Sequence, residues 1–260
     1  MNDDAAAVFG RAAADYDTVI PFFRRFGERL VEVVGVGSGD EVLDVAAGRG
    51  ATTFPALSQV GDGGRVVATD AAEAMVRHLA ADLGGPANAS AHVMDAQAVD
   101  YPDESFDVVL CAFGVMFLPD RARALAEWRR VLRPGGRVGI SVPTGANDEM
   151  MFFGDVARTY LGRAVRPLPA PPAPFELRPL LEDAGFVDIE EVDDAQEFTF
   201  SDEHAWWAWL QTQGQRVFLD VLPPDAVDDL RDECFARLRP HRTADGYLLR
   251  QRARYTTAHR

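Results

Sequence analysis

The sequence predicts an α/β fold, a doubly wound and mostly parallel sheet with a helical lid. Three observations predict it. The run Val42-Leu43-Asp44-Val45 is apolar at three of four positions, as in a parallel strand covered on both faces. A small-residue turn follows it, and a helical pattern begins at once with Phe54 and Leu57. Finally, residues 202–240 read as helices where a doubly wound sheet needs none. Together with residues 8–36 and 147–165 they are expected to form the lid of a single domain spanning 1–260.

Composition narrows the partners. A chain of 260 residues, 47% hydrophobic, fits one large α/β domain with a cap. Its net charge of −15, from 26 basic and 41 acidic residues, argues against nucleic acid or an anionic membrane as partner. Every basic residue is arginine, so lysine nucleophiles and Schiff bases are excluded. Cys111 and Cys234 make neither a disulfide framework nor a zinc site, and no metal is expected. The acidic start MNDDAAAVFG has no long apolar run, so a cytoplasmic protein, monomer or homodimer, is expected.

The stretch Glu41–Thr53, EVLDVAAGRGATT, organises the rest. Its strand carries Asp44 and runs into Ala46-Ala47-Gly48-Arg49-Gly50, small except at Arg49. Such a turn lets a ligand approach the backbone beside a helix N-terminus. A dinucleotide fingerprint needs glycine at Thr53, and a phosphate-binding P-loop needs a lysine. The strand acid suits a ligand carrying a cation instead. S-adenosylmethionine (SAM) has an ammonium and a sulfonium, and here the chain resembles the class I SAM-dependent methyltransferases. Their first motif reads roughly V-L-D-x-G-x-G-x-G, with Ala46 replacing the first glycine. Small-molecule members of the ubiquinone-biosynthesis type are the nearest in pattern. The resemblance implies a seven-stranded Rossmann-like sheet and cofactor contacts from Asp44, Ala46, Gly48 and Gly50.

The other elements follow in order. Before the motif, VFGRAAADYDTVI resembles the F-x-x-x-A-x-x-Y-D segment that folds over the cofactor in this family, which implies Tyr16 as a pocket residue. Asp17 or Thr18 can cap the next helix, whose Phe22, Phe23, Phe26, Leu30, Val33 and Val34 recur at helical spacing. Phe22 either lines the substrate chamber or packs in the core. After the motif, RVVATD reads as a second strand ending in Asp70, whose carboxylate can accept both hydrogen bonds of a ribose diol or cap the following helix. The family implies Ala71 beside it, Met75 against adenine, and Asp95 with Ala96 at the end of a third strand, SAHVMD. YPDESFDVVLCAFGVMFLPD resembles a further family block, placing Cys111 and Phe113 at the cofactor. LRPGGR is the helix stop and strand start before VGISVP, and the resemblance covers residues 8–145. Beyond it, Asn147–Leu161 reads as a helix, 166–174 as an extended connector, and FELRPLLEDAGF as a helix closed by Gly185. VDIEEVDDAQEFTF reads as the sixth strand, HAWWAWLQTQ as a tryptophan-rich helix, and GYLLRQRARYTTAHR as an exposed final strand.

Methyl transfer from a sulfonium asks the protein mainly to align a nucleophile and exclude water. Aromatic faces suit both the sulfonium and an aromatic acceptor. Phe22, Met116, Phe117, Met150, Phe153 and Trp206 are the expected substrate-binding residues. His204, beside the tryptophans, is a candidate base or an inert helix-entry residue, and Tyr16 is a second candidate. The expectation is a SAM-dependent methyltransferase yielding S-adenosylhomocysteine and a methylated small molecule. Oxygen is favoured over nitrogen or carbon as acceptor, in bacterial specialised metabolism. Its rivals are a SAM-binding scaffold that runs a pericyclic or isomerising reaction, and a non-catalytic partner subunit.

Overall fold

The computed structural model describes residues 3–147, 150–168 and 173–260, with side chains from Ala6 onward. Seven strands make one sheet in the order β3-β2-β1-β4-β5-β7-β6. They are β1 Glu41–Val45, β2 Arg65–Asp70, β3 Ala89–Val93, β4 Phe106–Ala112, β5 Leu132–Ala146, β6 Val187–Phe200 and β7 Tyr247–His259. The first five strands pair in parallel, while β7 runs antiparallel between β5 and β6. The helices are α1 Asp3–Ala12, α2 Phe22–Val34, α3 Thr53–Val60, α4 Glu73–Leu83, α5 Arg121–Val131, α6 Phe153–Thr159, α7 Leu177–Asp183, α8 Glu203–Leu210, α9 Arg216–Val221 and α10 Pro224–Leu238.

The sheet is wound on both faces, which is why its strands read as continuous apolar runs. Val42, Val66, Val108 and Leu110 pack towards α2 and the helices α6, α8 and α10, and Leu43, Val45, Val67 and Val109 join the side of α5 and α7. By the alternation of β1, Asp44 shares the α2 side with Val42. Helix α2 starts where Asp17 accepts the Phe23 and Arg24 amides at 2.8 and 2.9 Å, a cap reaching across from five residues before Phe22. Its Phe22, Phe26, Leu30, Val31 and Val34 are the buried stripe.

Two expectations need correction. Strand β7 is not an exposed final strand: it is hydrogen-bonded along both edges, to β5 and β6. Its alternation reports only which face is buried and says nothing about edge partners. Arg254 on Asp193 and Arg250 on Glu197 tie its outward side chains to β6. The helix expected over Asn147–Leu161 is short, because β5 continues to Ala146 and α6 begins only at Phe153. Of the connector 166–174, residues 169–172 lie outside the described residues, and the described flanks are neither helix nor strand.

Candidate active site

At the end of β1 a carboxylate is fully buried. Asp44 is 0% exposed, and its Oδ2 accepts a 2.6 Å hydrogen bond from the Thr53 hydroxyl. Its Oδ1 has no hydrogen-bond partner among the described residues. Burial, opposed by the Thr52 and Thr53 hydroxyls and reinforced by Asp70, pushes the Asp44 pKa up to about 6. The following turn needs left-handed backbone at Ala46, Gly48 and Gly50, with φ of 54°, 56° and 88°. Ala46 therefore keeps the conformation usual for glycine at the cost of some strain.

The second strand-end acid braces this turn. Asp70 accepts the Gly48 amide at 2.9 Å and the Ala72 amide at 2.8 Å, so it ties the turn to the start of α4. Burial raises its pKa against those hydrogen bonds. It is 4% exposed. Asp95 is held below the usual carboxylate range: burial pushes it up, but hydrogen bonds from the Gln97 amide and side chain outweigh that. The Gln97 carbonyl in turn accepts the Asp120 amide at 2.7 Å, fastening this strand end to the start of α5. Asp70→Ala is expected to weaken SAM binding by about 1.5–3 kcal/mol, as for lost charge-assisted hydrogen bonds. The Gly48 and Ala72 amides are also stranded, so stability should fall by about 2 kcal/mol. Calorimetry with S-adenosylhomocysteine and a thermal melt measure both, and unchanged affinity in the folded variant would displace the site from this turn.

A strap closes over the turn. The Tyr16 ring lies 3.7 Å from where a Gly48 Cβ would stand and stacks on Phe23, centroids 4.4 Å apart. Arg49 donates to the Ala13 and Ala14 carbonyls at 3.1 and 3.3 Å and pairs with Asp82. Met75 is buried with Ala13 and Ala72, with Phe9 and Tyr16 packed against them. Burial, then the charges of Asp17 and Asp70, raise the Tyr16 pKa well above its ordinary value. Its hydroxyl can donate a hydrogen bond but is a poor base. Cys111 is buried on the α5 side of the sheet, beneath Gly114, with its thiol pushed up to about 12 by burial and by Asp44. It is inert at neutral pH. Ala71 is half-buried at the start of the β2–α4 connection, and Ala96 is buried with its carbonyl accepting Trp128 Nε1–H at 2.9 Å.

Beyond the β4 end stands a wall of rings. Phe113, itself in left-handed backbone at φ 54°, lies 5.0 Å from Phe26 and 6.3 Å from Phe22. Phe22 continues the wall to Phe198 at 5.2 Å and Trp209 at 5.3 Å. Phe117 meets Phe9 of α1 at 5.3 Å, and Arg121 holds that turn through the Val115 and Met116 carbonyls.

The structure does not bring every candidate to this place. Trp206 packs on Phe152, Phe153 and Trp207, and Phe153 also meets Phe218, so Phe153 and Trp206 form the inner packing of the lid. Met150 lines a separate cavity of about 290 Å³ with Asn147, His241, Thr243, Tyr247, Leu248 and Arg250. His204 is exposed and sets its ring edge-on against Phe235 of α10. Helical spacing alone did not reveal which side of α8 meets the sheet. Gly27, Thr53 and Arg49 were not expected as site residues, and of the tryptophans near His204 only Trp206 was assigned to the substrate. Only Gly27, interrupting the helical pattern FFRRFGERLVEVV, left a visible signal. Among the described residues no group of three His, Cys, Asp or Glu side chains is placed to hold a metal.

These residues fit SAM. A buried carboxylate with a free oxygen beside a small-residue turn suits a cation, and two further strand-end acids suit a ribose and an adenine amine. Comparison with known proteins agrees. A methyltransferase domain family matches residues 42–136. Nocamycin O-methyltransferase of Saccharothrix syringae is 35% identical over 254 residues, covering 90% of each chain. Aklanonic acid methyltransferase DauC of a Streptomyces species is 38% identical over 138 residues, 52% of this chain and 63% of that one. In fold, the YcgJ protein of Bacillus subtilis superposes with a TM-score of 0.59 at 17% identity, covering 91% and 98% of the two chains. No helix among the described residues is long and apolar enough to cross a membrane. Fold, strand-end acids and full-length relatives converge: the chain belongs to the class I SAM-dependent methyltransferases and is an enzyme with SAM as its cofactor.

Proposed function

We propose that this enzyme methylates an acidic oxygen, a carboxylate or an enolised β-dicarbonyl, of a flat apolar small molecule of specialised metabolism. The observation that carries it is the ring wall Phe113–Phe22–Trp209, which continues directly from the β4 end. A flat acceptor lies well against such faces. The O-methyltransferase named for nocamycin, similar over nearly the whole chain, supports oxygen as the accepting atom.

In this reading Asp44, Gly48, Gly50, Asp70, Met75 and Asp95 hold the cofactor, with Tyr16 closing over it. Bound there, SAM supplies an electrophilic methyl group on a sulfonium. The chain's own work is alignment and exclusion of water by the Tyr16–Phe23 strap and the ring wall. Tyr16 stays protonated, and His204 faces solvent on the far side of α8 from the ring wall. An acceptor that ionises by itself below pH 7 needs neither as a base. Incubation with methyl-labelled SAM and a set of aromatic carboxylic acids, cyclic 1,3-diketones and neutral phenols tests this. Label on oxygen of the first two classes, seen as O-methyl carbon resonances, is expected. Label on carbon or nitrogen, or preference for neutral phenols, overturns it.

A further inference from the structure

Trp209 carries a polar atom that the fold leaves without a partner. The residue is 9% exposed, and its Nε1–H finds no acceptor among the described residues. Trp128, buried elsewhere, satisfies the same group on the Ala96 carbonyl at 2.9 Å. The aromatic neighbours of the Trp209 ring are Phe22 and Phe200, each 5.3 Å away, and neither ring offers an oxygen. A buried donor in this position calls for an acceptor from outside the chain.

The donor is also held in place. The Thr212 amide and hydroxyl both donate to the Trp209 carbonyl, at 2.8 and 2.7 Å, and Gln213 Nε2 donates to the Thr212 hydroxyl at 3.1 Å. Thr212 and Gln213 are buried polar residues among otherwise apolar buried side chains of this segment, and the next residue, Gly214, lies against Phe117 and Phe9. The turn that ends α8 thus holds the Trp209 backbone, while Phe22 and Phe200 seat its ring, one ring contact from Phe22 and two from Phe113.

We propose that Trp209 Nε1–H donates a hydrogen bond to the methyl acceptor, selecting substrates with two conjugated oxygens. One oxygen faces the cofactor and takes the methyl group, and the other accepts the indole N–H. A carboxylate and the enolate of a β-dicarbonyl both have this pair, whereas a simple phenol has one oxygen only. The inference rests on the proposed acidic-oxygen acceptor and assigns the residue that reads it. Trp209 is a specificity-determining residue here; its hydrogen bond orients the acceptor and moves no proton.

The probes are 2-naphthoate and 2-naphthol, titrated into the enzyme saturated with S-adenosylhomocysteine. Trp209→Phe keeps a ring in the wall and removes the donor. It is expected to raise the Kd of 2-naphthoate about tenfold, the size of one charge-assisted hydrogen bond, and to leave that of 2-naphthol unchanged. In the wild type labelled with ¹⁵N-tryptophan, the Trp209 indole resonance, assigned through its contacts with the Phe22 and Phe200 rings, should move downfield with 2-naphthoate and stay with 2-naphthol. That measurement decides the matter should the variant not fold. Equal losses for both probes, no loss, no binding of 2-naphthoate, or an unmoved indole resonance each overturn the proposal. Release of S-adenosylhomocysteine from SAM is followed separately. Its absence alongside a shifted indole counts against the methyl-transfer chemistry and not against this hydrogen bond.

Discussion

Gly27→Val is expected to lower stability by about 3 kcal/mol and to cost at least about tenfold in SAM affinity. A Cβ built on Gly27 would stand 2.0 Å from the Ala51 carbonyl oxygen and 2.4 Å from its carbon. Both are backbone atoms of the cofactor turn, so no side chain can rotate aside. Helix α2 must then lift off the turn, and the Tyr16–Phe23 strap, which depends on the start of α2, lifts with it. Interiors packed at crystal density absorb such a displacement poorly. Gly27→Ala should show the same two losses on a smaller scale. Melting curves and calorimetry with S-adenosylhomocysteine check this; a Gly27→Ala protein with wild-type melting and binding would remove the close approach from the account.

Asp44→Asn is expected to move stability and cofactor binding in opposite directions. Burial raises the folded pKa of Asp44 to about 6, above the ordinary value of 3.8. The folded chain therefore binds this proton more tightly than the unfolded one, and the charge destabilises the apo fold progressively as pH rises from about 4 to 6. Above pH 6 the full penalty applies, about 3 kcal/mol. Asparagine removes it while its carbonyl can still accept the Thr53 hydroxyl, so the apo variant should melt higher at pH 8 than the wild type. In the proposed reading the cofactor's cation meets the charged form of Asp44. Wild-type affinity should weaken as pH falls below about 6, approaching tenfold per unit, with Asp70, whose pKa is also raised, adding to the slope. At pH 8 the variant should bind on the order of a hundredfold more weakly and should lose the part of the pH dependence due to Asp44. Calorimetry from pH 5 to 8 measures this, and a variant that binds SAM as the wild type does at pH 8 would refute the cation reading of Asp44.

Much of the cofactor half was legible because its chemistry is local. A strand acid, a small-residue turn and a helix start follow one another within Glu41–Thr53, and left-handed backbone at Ala46, Gly48 and Gly50 is a property of that turn alone. Asp70 closes β2 and Asp95 follows β3 by two residues, so spacing along the chain already places them at one end of a parallel sheet. Residues whose meaning depends on a distant partner stayed hidden. Gly27 matters only because Ala51 lies against it, and Arg49 only because it holds the Ala13 and Ala14 carbonyls. In the lid, Trp206, Trp207 and Trp209 sit within one short helix and look alike in sequence. Tertiary packing set Trp206 into the lid and Trp209 onto Phe22 and Phe200, with an indole N–H left unpaired. Periodicity tells which residues share a helix side but not what that side meets, so the sequence by itself determined the fold and the small-residue turn after β1, while the ring wall proposed for the substrate was decided only by how α2, β6 and α8 come together.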